Sequence, residues 1–164
     1  IFLNLIAASV IALYEETLSQ VIALAIFMPI LSDMSGCSGS QAVAVSIREL
    51  SLGLVQPRDF LRVWWKESQV GLFNGLILGI LLAVLAFVWK GSFALAVVVG
   101  LALGINTFVG GCAGGLLPLI IRRLGIDPAL AAAPILTTIT DMFGFFLALS
   151  FTALALKSGF LVPF

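Results

Sequence analysis

An all-α polytopic membrane protein is the fold class this sequence predicts, and three observations carry the prediction. Of the 164 residues, 62% are apolar and only 10% are charged, against about 25% charged in ordinary soluble domains. The mean hydropathy is +1.24. The apolar residues fall into long runs, and at about 20 residues per crossing a chain of 164 residues has room for about five helices. This composition excludes a soluble enzyme and a nucleic-acid-binding protein. Eight basic and eight acidic residues cancel, so net charge points to no anionic partner. The chain has no histidine, which removes the commonest transition-metal ligand and the usual near-neutral proton carrier. Cys37 and Cys112 lie far apart in apolar surroundings, with neither metal-site spacing nor a disulfide framework.

The first apolar run starts at Ile1 and ends near Tyr14. A helix over it rises about 21 Å, short of a hydrocarbon core of about 30 Å, so this span is read as truncated. The second run, Val21 to Leu31, contains Pro29, meets the polar stretch Ser32 to Gln41, and resumes at Ala42 to Ile47. Proline and glycine at that depth predict a kinked or locally unwound helix, which a membrane tolerates only against protein or a wet cavity. Gln56 to Gln69 mixes Arg58, Asp59, Arg62, Lys66 and Glu67 with Phe60, Leu61, Val63, Trp64 and Trp65, and Pro57 suits a helix start. A short interfacial amphipathic helix is expected there. Span three covers Val70 to Trp89, span four about Phe93 to Ile121, and span five about Pro128 to Leu156.

Basic residues orient the chain. Arg48, Arg58, Arg62, Lys66, Arg122 and Arg123 follow spans two and four, whereas the other side carries only Lys90 and Lys157. Six against two places the first group in the cytoplasm and the C-terminus outside. The expected setting is the plasma (inner) membrane, with several passes and lipid as the surrounding partner. Trp64, Trp65 and Trp89 are expected as interface anchors. Gly71, Gly75 and Gly79, Gly100 and Gly104, and Gly110, Gly111, Gly114 and Gly115 recur at four-residue spacing. This places small residues on single helix faces and predicts close helix crossings. A hinge at Gly110-Gly111 is the competing reading.

Asp141 is the strongest chemical feature. It stands near the middle of span five, in Leu136-Thr137-Thr138-Ile139-Thr140-Asp141, where an ionisable group costs about 2.5–3.5 kcal/mol to insert and marks a functional site by default. Thr137 and Thr138 lie one turn earlier on roughly the same face, which gives an oxygen-rich stripe. The competing reading is an aspartate held by Asn106 or Asn74 as structural glue. Asp33, Cys37 and Gln41 are spaced by four, with Ser40 beside them, so on a helix they form one polar, pore-lining face. Glu15 and Glu16, at the outer junction of spans one and two, form either an anionic vestibule or ordinary solvated charges.

Oxygen donors without histidine favour hard cations. One deep carboxylate per chain is thin, but two fifth helices facing each other supply a charge of −2. Mg²⁺ dehydrates reluctantly and is often held by one or two carboxylates while keeping several waters, whereas Ca²⁺ collects more protein oxygens. The residues therefore point to a divalent-cation site on the axis of a homodimer.

The chain resembles the transmembrane pore domain of the MgtE magnesium channels. The resemblance is carried by Leu13-Tyr14-Glu15-Glu16-Thr17-Leu18, Val21 to Pro29, Gly36-x-x-Gly39-Ser40-Gln41, Pro57-Arg58-Asp59-Phe60, Glu67 to Gly75, Gly125-Ile126-Asp127-Pro128-Ala129 and Pro134 to Gly144. It runs over nearly all of residues 1–164 and implies a homodimer of five-helix subunits whose second and fifth spans line the pore. It also implies cytoplasmic N-terminal regulatory domains upstream of the sequence shown. The family's pore aspartate falls on Asp141, and the backbone carbonyl one turn earlier falls on Thr137. Three positions depart from the pattern: Cys37 stands for an asparagine, Asp33 for a small residue, and Ala133 for an asparagine before the span-five proline. Asp33 is a candidate for replacing lost ligation or for widening the range towards Mn²⁺ or Co²⁺. A channel or facilitator for Mg²⁺ is the expected function, with a Na⁺- or H⁺-coupled exchanger and a nonconducting scaffold as alternatives. No enzymatic activity is expected.

Overall fold

The computed structural model describes residues 2–162, and these form six α-helices with no strand among them. The helices are α1 (Phe2–Leu13), α2 (Glu15–Gln20), α3 (Ala23–Ser51), α4 (Phe60–Lys90), α5 (Phe93–Arg123) and α6 (Pro128–Lys157). Helices α4, α5 and α6 are long and apolar enough to cross a membrane. Helix α3 has 29 residues, about 44 Å of rise, but its middle is polar.

Local chemistry sets the ends of these helices. Gly91, at φ +68°, caps α4 in a left-handed conformation that costs glycine little. Ser92 then caps α5 by accepting from the Leu95 amide at 3.3 Å. Asp127 caps α6 by accepting from the Ala129 amide at 3.0 Å, and Pro128 occupies the first helical turn, where its missing N–H is no loss.

Two expectations are corrected. Residues 60–69 are not a separate interfacial helix but the first turns of α4, which runs unbroken to Lys90. The reason is a continuous buried stripe, Val63, Glu67, Gly71, Gly75 and Gly79, at the four-residue spacing that keeps one face against a neighbour. Glu67, read as one of several interfacial charges, is therefore only 4% exposed. Nor is α3 unwound at Gly36 or Gly39, since it is helical from Ala23 to Ser51 with Pro29 inside. Its Gly39 is pressed against α5, where a Cβ on Gly39 would lie 2.8 Å from the Gly110 carbonyl oxygen.

Helix α5 is the centre of the bundle and packs against α3, α4 and α6. The glycine stripes make these approaches possible: a Cβ on Gly79 would lie 2.7 Å from the Gly100 carbonyl oxygen, and one on Gly110 would lie 2.9 Å from that of Ser35. Gly110 and Gly111 thus sit at packing contacts inside an unbroken α5. Helix α1 leans on α6, with the Tyr14 hydroxyl 2.9 Å from Ser150 Oγ and its ring edge-on to Phe146. Trp64, Trp65 and Trp89 are all exposed towards the two ends of α4.

The interior has two larger apolar cores besides a small third one of Val55, Val63 and Leu119. One gathers Leu24, Phe27, Leu31, Leu95, Leu103 and Leu149, and the other gathers Val43, Ile121, Ala132 and Leu136. Between them lies a polar layer centred on Asn106, which is fully buried. Its amide nitrogen is 2.6 Å from Ser35 Oγ on α3, 2.9 Å from the Thr140 carbonyl oxygen on α6, and 3.4 Å from that of Leu31. Asn74 makes a second interhelical contact, at 3.4 Å to Ser38 Oγ.

Candidate cation site

On the side of α3 and α6 away from α5 lies an open groove of about 430 Å³. From α3 it is lined by Ser32, Asp33, Gly36, Cys37, Ser40 and Gln41, and from α6 by Thr137 and Asp141. Because α3 is helical throughout, Asp33, Cys37 and Gln41 stack along one wall as their spacing predicts. All three are exposed, as is Ser40. The sequence points to Asp33, Cys37, Gln41 and Ser40 on this wall but not to Ser32 and Gly36. Ser32, Gly36 and Ser40 share the same four-residue spacing one position earlier, and that second row of small residues is the signal for them.

Asp141 is half-buried near the middle of α6 and faces α3. Ser32 Oγ donates to Asp141 Oδ1 over 2.5 Å, a hydroxyl-to-carboxylate hydrogen bond. Neither Asn106 nor Asn74 holds it; among the described residues Ser32 is its hydrogen-bonding side chain. No lysine or arginine among the described residues pairs with Asp141 or Asp33, the ion pairs being those of Lys66 with Glu49 and Glu67. The groove thus presents two carboxylates without a fixed countercharge.

Thr137 lines the groove one turn before Asp141. Its hydroxyl donates to the Pro134 carbonyl oxygen at 3.0 Å, so its only hydrogen is engaged and its oxygen lone pairs remain for an incoming cation. The Thr138 hydroxyl makes the same bond at 2.9 Å, but Thr138 stands outside the lining residues, as does the exposed Ala133. Glu15 and Glu16 are exposed in the first turn of α2 and also stand apart from the groove. The Cys37 thiol is 3.9 Å from Asp33 Oδ1 and is directed at it.

Among the described residues, no three acidic or cysteine side chains stand close enough to enclose one metal ion. A single groove therefore offers an ion scattered oxygens along a path. This arrangement suits a cation that keeps most of its water.

Comparison with known proteins agrees with this chemistry. The family described as MgtE, divalent cation transporter, matches residues 28–151. The magnesium transporter MgtE of Bacillus subtilis is 36% identical over 142 residues, which cover 87% of this chain and 32% of that protein. The magnesium transporter MgtE of Thermus thermophilus is 36% identical over 158 residues, covering 96% of this chain and 35% of that protein. That of Enterococcus faecalis is 32% identical over 142 residues. The chain spans about a third of the length of the curated relatives it matches. With the match to residues 28–151 extending over both walls of the groove, the chain belongs to the MgtE family of divalent cation transporters.

Proposed function

We propose that this chain is the pore-forming membrane domain of a divalent-cation channel or facilitator whose main cargo is Mg²⁺. Two copies face each other groove to groove, each contributing five membrane crossings, and Asp141 of both copies forms the central site. The observation that carries the reading is Asp141 itself: a carboxylate midway along a membrane helix, without a basic partner among the described residues, held by Ser32 on the wall of a polar groove. A lone carboxylate in such a place is expensive unless a cation visits it. Two carboxylates across an axis match the charge of a dication, and the surrounding hydroxyls and amides suit its retained waters. The relatives named as magnesium transporters support Mg²⁺ as the cargo. Asp33 and Cys37 add a second carboxylate and a thiol to the same path, which extends the range towards Mn²⁺ and Co²⁺.

The six basic residues at the α3–α4 and α5–α6 connections face the cytoplasm in this reading, with the end of α6 outside. A dication crossing inwards through a potential of about 100 mV gains about 4.6 kcal/mol, so the flow needs no coupled ion.

The test is Mg²⁺ flux into liposomes carrying the reconstituted chain. Asp141→Ala abolishes flux and high-affinity Mg²⁺ binding, and Asp141→Asn reduces both. Flux through Asp141→Ala equal to that of the wild type overturns the assignment, and flux that requires a Na⁺ or pH gradient replaces the channel with an exchanger.

A further inference from the structure

Asn106 stands on α5 behind the groove and does not line it, yet its amide reaches both helices that do. We propose that Asn106 is a positioning residue for the cation site: it sets the register of α3 against α6 and so aims Ser32 at Asp141. This inference rests on the reading of Asp141 as the pore carboxylate.

The assignment of the amide follows from its neighbours. The Leu31 and Thr140 carbonyls can only accept, so the nitrogen of Asn106 faces them. Ser35 Oγ lies 2.7 Å from the Leu31 carbonyl oxygen and 3.1 Å from that of Ser32. Its one hydrogen goes to either of these, and towards Asn106 it accepts. The two amide hydrogens therefore divide, one to Ser35 at 2.6 Å and one to Thr140 at 2.9 Å. Each pore helix receives one bond from a single planar group. Thr140 is the residue before Asp141, and Ser35 lies one turn after Ser32, so both bonds attach beside the Ser32–Asp141 pair.

Glycines bring the amide this close. A Cβ on Gly144 would lie 2.5 Å from the Asn106 nitrogen, and one on Gly110 would meet the Ser35 carbonyl oxygen at 2.9 Å and the Thr140 methyl at 3.1 Å. The arrangement also carries a cost, because Asn106 Oδ1 is buried with no hydrogen-bond partner among the described residues. A leucine, similar in branching, would leave no unpaired oxygen there. What the leucine lacks is direction. Apolar packing permits small slides and rotations, whereas two hydrogen bonds from one plane do not, and the bond from Ser32 to Asp141 depends on both distance and angle.

The experiment is a double-mutant cycle read by the Mg²⁺ concentration dependence of flux in liposomes, using the wild type, Ser32→Ala, Asn106→Leu and the double variant. Each single variant raises the half-saturating Mg²⁺ concentration about tenfold, the worth of one hydrogen bond to a charged group. If Asn106 acts through Ser32 and Asp141, the double variant is no worse than either single one. If Asn106 merely holds the bundle together, the two losses multiply, and that result overturns the proposal. Should Asn106→Leu fail to fold, Ser35→Ala replaces it in the same cycle, since alanine suits a helix and still removes the bond to α3. Mg²⁺ flux that is absent from the wild type, or unaffected by Asp141→Ala, overturns the functional reading itself. Multiplying losses on a background of Asp141-dependent flux overturn only the role of Asn106.

Discussion

Ser32 and Asp141, 109 positions apart in the chain, meet across the groove with Ser32 Oγ donating to Asp141 Oδ1 over 2.5 Å. The contact joins the polar middle of α3 to the polar middle of α6. It engages one carboxylate oxygen and leaves the charge without a basic neighbour among the described residues. An acid held this way is oriented rather than neutralised.

Replacing Ser32 therefore differs from replacing Asp141. Ser32→Ala keeps the charge and removes its fixed direction, at a cost of about 1.5–3 kcal/mol for a hydrogen bond to a charged group. Flux persists at high Mg²⁺ and falls at low Mg²⁺, with maximal rate less affected than half-saturation. Ion flux titrated against Mg²⁺ separates this outcome from the general loss expected of Asp141→Ala.

The two cysteines should behave differently towards water-soluble thiol reagents. Cys37 is exposed in the groove, whereas Cys112 is half-buried behind it against Ser68 Oγ at 3.3 Å. A positively charged methanethiosulfonate reagent added to the reconstituted chain suppresses flux by placing a fixed cation beside Asp33. Cys37→Ser is resistant and Cys112→Ser is not. Equal inhibition of both variants would remove Cys37 from the conduction path.

The α4–α5 crossing depends on the absence of side chains. Gly79→Ala sets a methyl group 2.7 Å from the Gly100 carbonyl oxygen, closer than packed atoms come. Because backbone faces it, the helices must separate, at a cost of about 1–3 kcal/mol. Thermal unfolding in detergent should show a lower Tm for Gly79→Ala than for alanine at the exposed neighbour Ile80.

Lys66 holds two carboxylates, Glu49 at 2.6 Å and Glu67 at 3.3 Å. Glu67 is buried and Glu49 is partly exposed, so their dependence on the lysine differs. Lys66→Met strands a buried charge, an effect of about 3–5 kcal/mol where no water reaches the group, while Glu49→Gln leaves the Lys66–Glu67 pair intact. Lys66→Met is expected to lower the Tm by more than Glu49→Gln does, and the reverse order would mean that water reaches Glu67.

Much of the fold and most of the lining of the groove were legible in the sequence. The boundaries of α5 and α6 follow from unbroken apolar runs with Ser92, Asp127 and Pro128 at their starts, and these signals are local. Asp33, Cys37 and Gln41 share a face because the period of the helix requires it. Glu67 was misread because its neighbours Arg62 and Lys66 mark a solvated surface, while its burial depends on Gly115 of a different helix. Ser32 was missed as a partner because a serine beside an aspartate has no signature until another helix is laid against it.

The sequence by itself determined that the chain is helical and apolar, where α5 and α6 begin and end, and that one carboxylate lies deep in the last of them. These properties follow from the cost of burying charge and unpaired backbone, which acts residue by residue along the chain. Only the tertiary structure decided which residues meet: Ser32 with Asp141, Asn106 with Ser35 and Thr140, and Lys66 with Glu49. Those pairings depend on how closely helices approach one another. Glycine-to-backbone contacts set that closeness, and they exist only once two faces are packed together.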